Sequence, residues 1–278
     1  ALPGGAASNG AADDFDLGER VTVESLRAHG AWTALSPREA SVASDRFQSP
    51  SSDLCVLFTG GTQRTKVVRV SHDMFLHERR AYAELWRPGA AAGAPAVLAH
   101  TSVYWGASAL GQLSIALAYG ATVVWCEATE ILELQRCINE EQITVLGVVP
   151  DHLDLLAPVQ PAADMPGVEC VFTWGERLPA RVAERWRGHP RAVLRELLIA
   201  TEFWLALYAD PLGGGGGALR AVRGADLLVL GEDGRPVPDG DVGELCLAGP
   251  MVTPGYLSAE ESGAGGAAGD PFVRHAGR

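Results

Sequence analysis

DLCVLFTGGTQRTKVVRVSH, residues Asp53 to His72, sets two apolar runs on either side of a polar, glycine-containing turn. Leu54 to Phe58 has the length and bulk of a buried strand, and the β-branched run Val67 to Val70 predicts a second. Between them lies Thr59-Gly60-Gly61-Thr62, then Arg64 and Lys66. Paired glycines let the backbone turn with positive φ and approach a ligand closely. Hydroxyls, bare N–H groups and Lys66 would suit a polyphosphate. No Gly-Lys-Ser/Thr opens a helix, so this is not a Walker loop. Taken alone, the stretch reads as a tight strand-to-strand turn with a solvated lysine.

Beyond this stretch the pattern alternates strands and helices as far as about Asp210. Strand-like runs are Ala96–His100, Ala121–Cys126, Ile143–Val149, Val168–Thr173 and Leu194–Ile199. Helix-length segments between them are His72–Trp86 with Ser71 as cap, Ser108–Tyr119, Glu130–Glu141, Asp151–Leu156 and Pro179–Trp186. Apolar strands alternating with helices predict an α/β fold, a mostly parallel sheet with helices on both faces. The five glycines Gly213–Gly217 mark a break. Short strands follow at Asp226–Leu230, Gly243–Ala248 and Val252–Leu257, which predicts a small β-rich subdomain. The expected organisation is an N-terminal arm and linker over 1–52, an α/β core over 53–212 and a β-rich subdomain with tail over 213–278.

Composition narrows the function classes. The 278 residues are 47% hydrophobic, enough for a core, and the net charge of −12 disfavours a nucleic-acid surface. No apolar run reaches the roughly 20 residues needed to cross a bilayer. The five cysteines are scattered, as in a reducing compartment, and no spacing suggests zinc. The chain begins at Ala1 without methionine, which leaves room for a removed targeting peptide.

Three stretches together resemble the adenylation domains of nonribosomal peptide synthetases, within the adenylate-forming (AMP-binding) superfamily. They are FTGGTQRTKVVRVSH (Phe58–His72), VFTWGERLPARVAERW (Val171–Trp186) with LLIATEFW (Leu197–Trp204), and LLVLGEDGRPVPDGDVGELCLAGPMVTPGYL (Leu227–Leu257). The resemblance implies part of that family's large subdomain, and a reaction joining a carboxylic acid to ATP with magnesium. By matching positions, Thr59, Gly60, Gly61, Thr62 and Lys66 would embrace the phosphates. Gly175 and Glu176 would lie at the adenine side, Thr201 would touch the α-phosphate, and Glu202 would hold magnesium. Lys66, Thr201 and Glu202 are thus the catalytic candidates.

The departures from the family fall on the chemistry. The phosphate loop is one residue short, with Gln63-Arg64-Thr65 where the family has a glycine and a proline. Leu198-Ile199 replaces the family's aromatic-Gly pair, so the tyrosine near adenine is missing. The acidic residue that binds the α-ammonium group falls at Gly106 or Ala107, and the ribose-binding aspartate at Arg278. An unpaired buried ammonium is costly, and a cation accepts no hydrogen bond from ribose. A surviving site would prefer an acid without an α-ammonium group, near the apolar and aromatic Val103-Tyr104-Trp105.

Three readings follow. One is a catalytically degenerate relative that serves as a structural or binding subunit, with weak or absent nucleotide binding. The second is an active ATP-dependent adenylation core excerpted from a larger enzyme. The third is a stand-alone nucleotide sensor that binds without chemistry. The arm is rich in Ala, Gly and Ser and lacks the family's N-terminal layers, so strands Leu54–Phe58 and Ala96–His100 are expected to be covered by protein subunits of a larger complex. His72 and His77 do not share a helix face. Trp105, Trp125, Trp174 and Trp204 read as core or interface, and Asp151 and Asp154 as helix N-terminal carboxylates.

Overall fold

A computed structural model describes residues 53–59, 66–88, 94–101, 105–106, 111–126, 130–213 and 217–257. All of them fall within one unit, Ser49–Arg278. The opening runs form β1 (Asp53–Phe58) and β2 (Val67–Ser71), paired antiparallel from Phe58↔Val67 onward. Helix α1 (His72–Leu85) starts directly after β2, and the Ser71 hydroxyl caps it by accepting a hydrogen bond from Met74 N.

The chain then alternates as β3 (Ala96–Ala99), α2 (Leu113–Tyr119), β4 (Thr122–Trp125), α3 (Ile131–Glu140), β5 (Val145–Val148) and α4 (Pro150–Leu156). It continues with β6 (Cys170–Thr173), α5 (Ala180–Glu184), β7 (Val193–Leu198), β8 (Leu207–Ala209) and β9 (Arg220–Ala221), and closes on β10 (Asp226–Leu230) and β11 (Glu244–Ala248). Gly120 ends α2 in the left-handed conformation at φ 61°, which glycine adopts without strain. Pro150 opens α4, where its missing N–H costs nothing.

The main sheet has seven strands in the order β4-β3-β5-β6-β7-β8-β9. The first five run parallel, and β8 and β9 join antiparallel. Alternate residues of these strands feed two cores. Leu98, Leu146 and Val171 pack with Leu134 and Ile138 of α3, Leu153 of α4 and Val182 of α5. Val97, Val145 and Phe172 pack with Tyr82 and Leu85 of α1 and Ile115 of α2. Helices therefore cover both faces, as the α/β alternation predicts. Among the described residues no helix is long and apolar enough to cross a membrane.

The first two strands pair with each other, as the strand-to-strand reading of the opening stretch predicts, and pack with Phe203, Trp204, Leu247 and Met251 in a third core. Four expectations change. Ala96–Ala99 is an interior strand flanked by β4 and β5, so the outer strand is Thr122–Trp125. The break at Gly213–Gly217 leaves the sheet continuous, because β9 beyond it pairs back to β8. Val252–Leu257 is no strand. Pro254 and Gly255 interrupt it, and only isolated bridges Val252↔Phe203 and Tyr256↔Val68 remain. Asp154 also departs from its expected role: it accepts from Arg181 and Arg185 across α4 and α5.

Candidate functional site

The carboxyl ends of β6 and β7 and the loop after β7 build the site. Gly175, just past β6, holds φ +93°, a conformation that a side chain would strain. It lines two adjoining cavities, as does Ile199. The larger, ≈ 470 Å³, runs past Glu176, Glu196 and Leu219. The smaller, ≈ 150 Å³, is lined by Glu78, Trp105, Gly106, Trp174, Thr201 and Trp204. Parallel sheets commonly present ligands at this end, where the loops leave backbone groups unpaired.

Lys66 begins β2's side of the hairpin. Its backbone N–H donates to Thr59 Oγ1 at 3.0 Å, while Thr59 N donates to Lys66 O at 3.0 Å. Lys66 Nζ donates to the Tyr256 hydroxyl at 3.0 Å and sits 4.7 Å from the centre of that ring. The same hydroxyl donates to Glu202 Oε1 at 3.3 Å. Tyr256 is held by β2, since Arg69 N donates to Gly255 O and Leu257 N to Val67 O. Glu202 is fixed from the backbone, its carbonyl accepting from Thr253 N at 2.8 Å.

The structure therefore joins Lys66 and Glu202 through one phenol and places Thr201 on the smaller cavity. Gly175 and Glu176 stand together on the larger one. Gly60, Gly61 and Thr62 lie outside the described residues, as do Gln63, Arg64, Thr65, Val103, Tyr104, Ala107 and Arg278. Among the described residues no group of three His, Cys, Asp or Glu converges as a metal cluster. A magnesium ion needs fewer protein ligands, because it is usually held by one or two carboxylates plus substrate phosphates. A lone Glu202 fits that pattern.

Two site residues escape the sequence reading. Tyr256 belongs to the PGYL signature, yet its partners lie far away in the chain. Glu78 is 2% exposed on α1. Burial pushes its carboxyl up to about 8, and Tyr82 and the Leu205 backbone only partly offset that. The Tyr82 hydroxyl itself makes no hydrogen bond of standard geometry. A signal for Glu78 was present. Met74, Glu78, Tyr82 and Leu85 recur at helical spacing, so a carboxylate interrupts a buried stripe. Of the tryptophans, Trp174 and Trp204 are buried, whereas Trp105 and Trp125 are substantially exposed.

Beside the site, His100 past β3 contacts His152 of α4, Nε2 to Nδ1 at 2.9 Å. The Gln112 amide donates to the Gly147 carbonyl at 2.8 Å and lies 3.2 Å from His100 Nδ1. Burial, with His152 beside it, pushes His100 down to about 4. His152 is lowered by burial as well, so the pair is neutral near pH 7 and one ring donates to the other.

The fold that carries this site has counterparts among known proteins. The family model for the AMP-binding enzyme matches residues 10–257, and the chain belongs to that family. Nonribosomal peptide synthetase echPS of Aspergillus ruber is 28% identical over 235 residues, covering 81% of this chain and 10% of its own length. The matched region is a small part of the curated relatives, from 3% to 29% of their length. The AMPPNP-bound nonribosomal peptide synthetase FmoA3 superposes with a TM-score of 0.67 at 22% identity, over 77% of this chain and 24% of that one. ATP-bound MatB from Rhodopseudomonas palustris gives 0.66 at 19% identity, over 77% and 43% respectively. At such identities the solved structures establish the fold.

Proposed function

We propose that this chain is a catalytically degenerate adenylate-forming core that serves as a binding subunit of a larger assembly. The observation that carries this is the bridge from Lys66 through Tyr256 to Glu202. The cation and the carboxylate that the family would turn toward phosphate and magnesium are bonded to one protein hydroxyl. Lys66 would have to leave that bond and the ring face to reach a triphosphate. Ile199 adds to the same reading, because a stiff β-branched side chain stands on the wall between the cavities where relatives keep bare backbone. The synthetase relatives, in which the matching region is 3% to 15% of the length, support a place within an assembly.

A second reading, an active adenylation core, is favoured by the adjoining cavities. The larger, ≈ 470 Å³, falls in the usual range for a ligand pocket. It has room for a nucleotide beside Glu176, while the smaller has room for a short acid near Thr201. Calorimetry with ATP and magnesium, followed by a pyrophosphate-release assay over a panel of acids, separates the two. The first reading expects a Kd weaker than about 100 µM and no acid-dependent pyrophosphate. Low-micromolar affinity with acid-dependent release establishes the second instead.

A further inference from the structure

Gln112, at the start of α2, is fully buried, and its amide nitrogen donates to the Gly147 carbonyl of β5 at 2.8 Å. A carbonyl only accepts, so this contact fixes which end of the amide faces the sheet. The same nitrogen lies 3.2 Å from His100 Nδ1. An amide NH2 only donates, so His100 Nδ1 is the acceptor and its ring proton sits on Nε2. His100 Nε2–H then donates to His152 Nδ1 at 2.9 Å, which leaves the His152 proton on Nε2. One backbone carbonyl thus sets the direction of a hydrogen-bond chain that ties α2, the end of β3 and α4 together.

A neutral imidazole has one nitrogen lone pair open to a further proton, and in both rings it is taken. On His100 it receives the Gln112 amide, and on His152 it receives the His100 N–H. A proton added to either ring sets two donors face to face. Burial acts in the same sense, pushing His100 down from 6.5 to about 4 and lowering His152 as well. Among the described residues the charged group acting on the pair is Asp151 of α4, which offsets the burial of His152 only in part. Asp154 of α4 is engaged by Arg181 and Arg185 of α5. From β5 and α2 come the Gly147 carbonyl and the Gln112 amide, neither of them charged. A metal ion between the rings would require His100 to carry its proton on Nδ1, against the Gln112 amide, so the geometry suits a proton and not a bridging metal.

The chain holds two pieces of the cavity wall. Val149 caps α4, and a Cβ added at Gly175 would meet its Cγ1 at 3.5 Å. Gly175 belongs to both cavities of the site. Within the sheet, a Cβ added at Gly147 would lie 2.5 Å from Trp174 Cη2 and 3.5 Å from Gln112 Cγ, so the amide and the indole rest on one glycine. We propose that Gln112, His100 and His152 form an acid-operated latch. Uptake of one solvent proton by the two rings breaks the chain and frees the first turn of α4 and the start of α2 from the sheet. The latch stands apart from the degenerate-core reading, since it needs neither nucleotide nor partner.

The opened form takes up its proton near the ordinary 6.5 and the closed form only near 4, so closure weakens as pH falls through that interval. Hydrogen exchange of the full chain at pH 7 and pH 4.5, corrected for intrinsic rates, tests this. Residues 111–119 and 150–156 are expected to lose protection by at least about tenfold more than β6 and β7 do. Glu78 shifts overall stability in the opposite sense over this interval, so the local difference is the readout. In His100→Gln/His152→Asn the two amides keep the central hydrogen bond without a titrating ring, and the acid-dependent difference should shrink to within about twofold. Titration of the imidazole NMR signals of the native chain gives a second readout that depends on no variant. Both rings are expected to titrate below 6.5, with His100 near 4. Rings that titrate at 6.5 overturn the proposal. So does protection of α2 and α4 that falls no more than that of β6 and β7, or an acid response that survives in the double variant.

Discussion

Lys66 donates a 3.0 Å hydrogen bond to the phenol of Tyr256, 190 residues further along the chain. The same phenol donates to Glu202, so three segments remote in sequence meet at one oxygen. Phenylalanine at this position keeps the buried ring and its contact with the ammonium but removes both hydrogen bonds. Tyr256→Phe is therefore expected to lower stability by about 1 kcal/mol in urea unfolding. Lys66→Met combined with it should cost less than the two single changes summed, because both remove one shared interaction. Strict additivity in that cycle would show that the bridge carries no coupling.

Glu78 predicts a pH dependence of stability. Its carboxyl is raised from an ordinary 4.5 to about 8 in the folded chain. Below pH 4.5 both states hold the proton and nothing is lost. Between 4.5 and 8 the unfolded chain releases the proton while the folded chain keeps it, so stability falls as pH rises and levels off above 8. The span corresponds to a loss on the order of several kcal/mol. Glu78→Gln lacks this titration, so it should be more stable than the native chain at pH 7.5, with the difference closing by pH 4.5. Urea unfolding at both values checks it, and a difference independent of pH counts against the buried acid.

Gly147 tests the wall between sheet and cavity. A Cβ added there would lie 2.5 Å from Trp174 Cη2 and 3.2 Å from Cζ3. Trp174 is 2% exposed, so its ring can yield only toward the cavity that it lines. Gly147→Ala is expected to cost about 1–3 kcal/mol through overpacking, with a shift in tryptophan emission as the indole moves. An unchanged Tm and spectrum would mean that the ring has room the structure does not show.

Much of the architecture is local in origin and was legible in the residues. The apolar runs at Val145–Val148 and Cys170–Thr173 are buried at every position, as strands covered on both faces must be. Ser71, Pro150 and Gly120 mark helix ends through capping chemistry that involves only near neighbours. Strands β8 and β9 were not legible. With three and two residues they show too little periodicity, and their pairing across the glycine run depends on the sheet already being present.

The amino-acid sequence by itself determined the α/β alternation, the family resemblance and the identities of the candidate residues, because periodicity and motif spacing are properties of consecutive residues. The tertiary structure decided what those residues touch. It put Ala96–Ala99 inside the sheet rather than at its edge, since strand order follows from crossovers that no local pattern encodes. It brought Tyr256 between Lys66 and Glu202, and it buried the Glu78 carboxyl on α1. Burial is a property of everything packed around a side chain. The charge, pairing and reactivity of a group are settled only when the distant segments that enclose it have folded together.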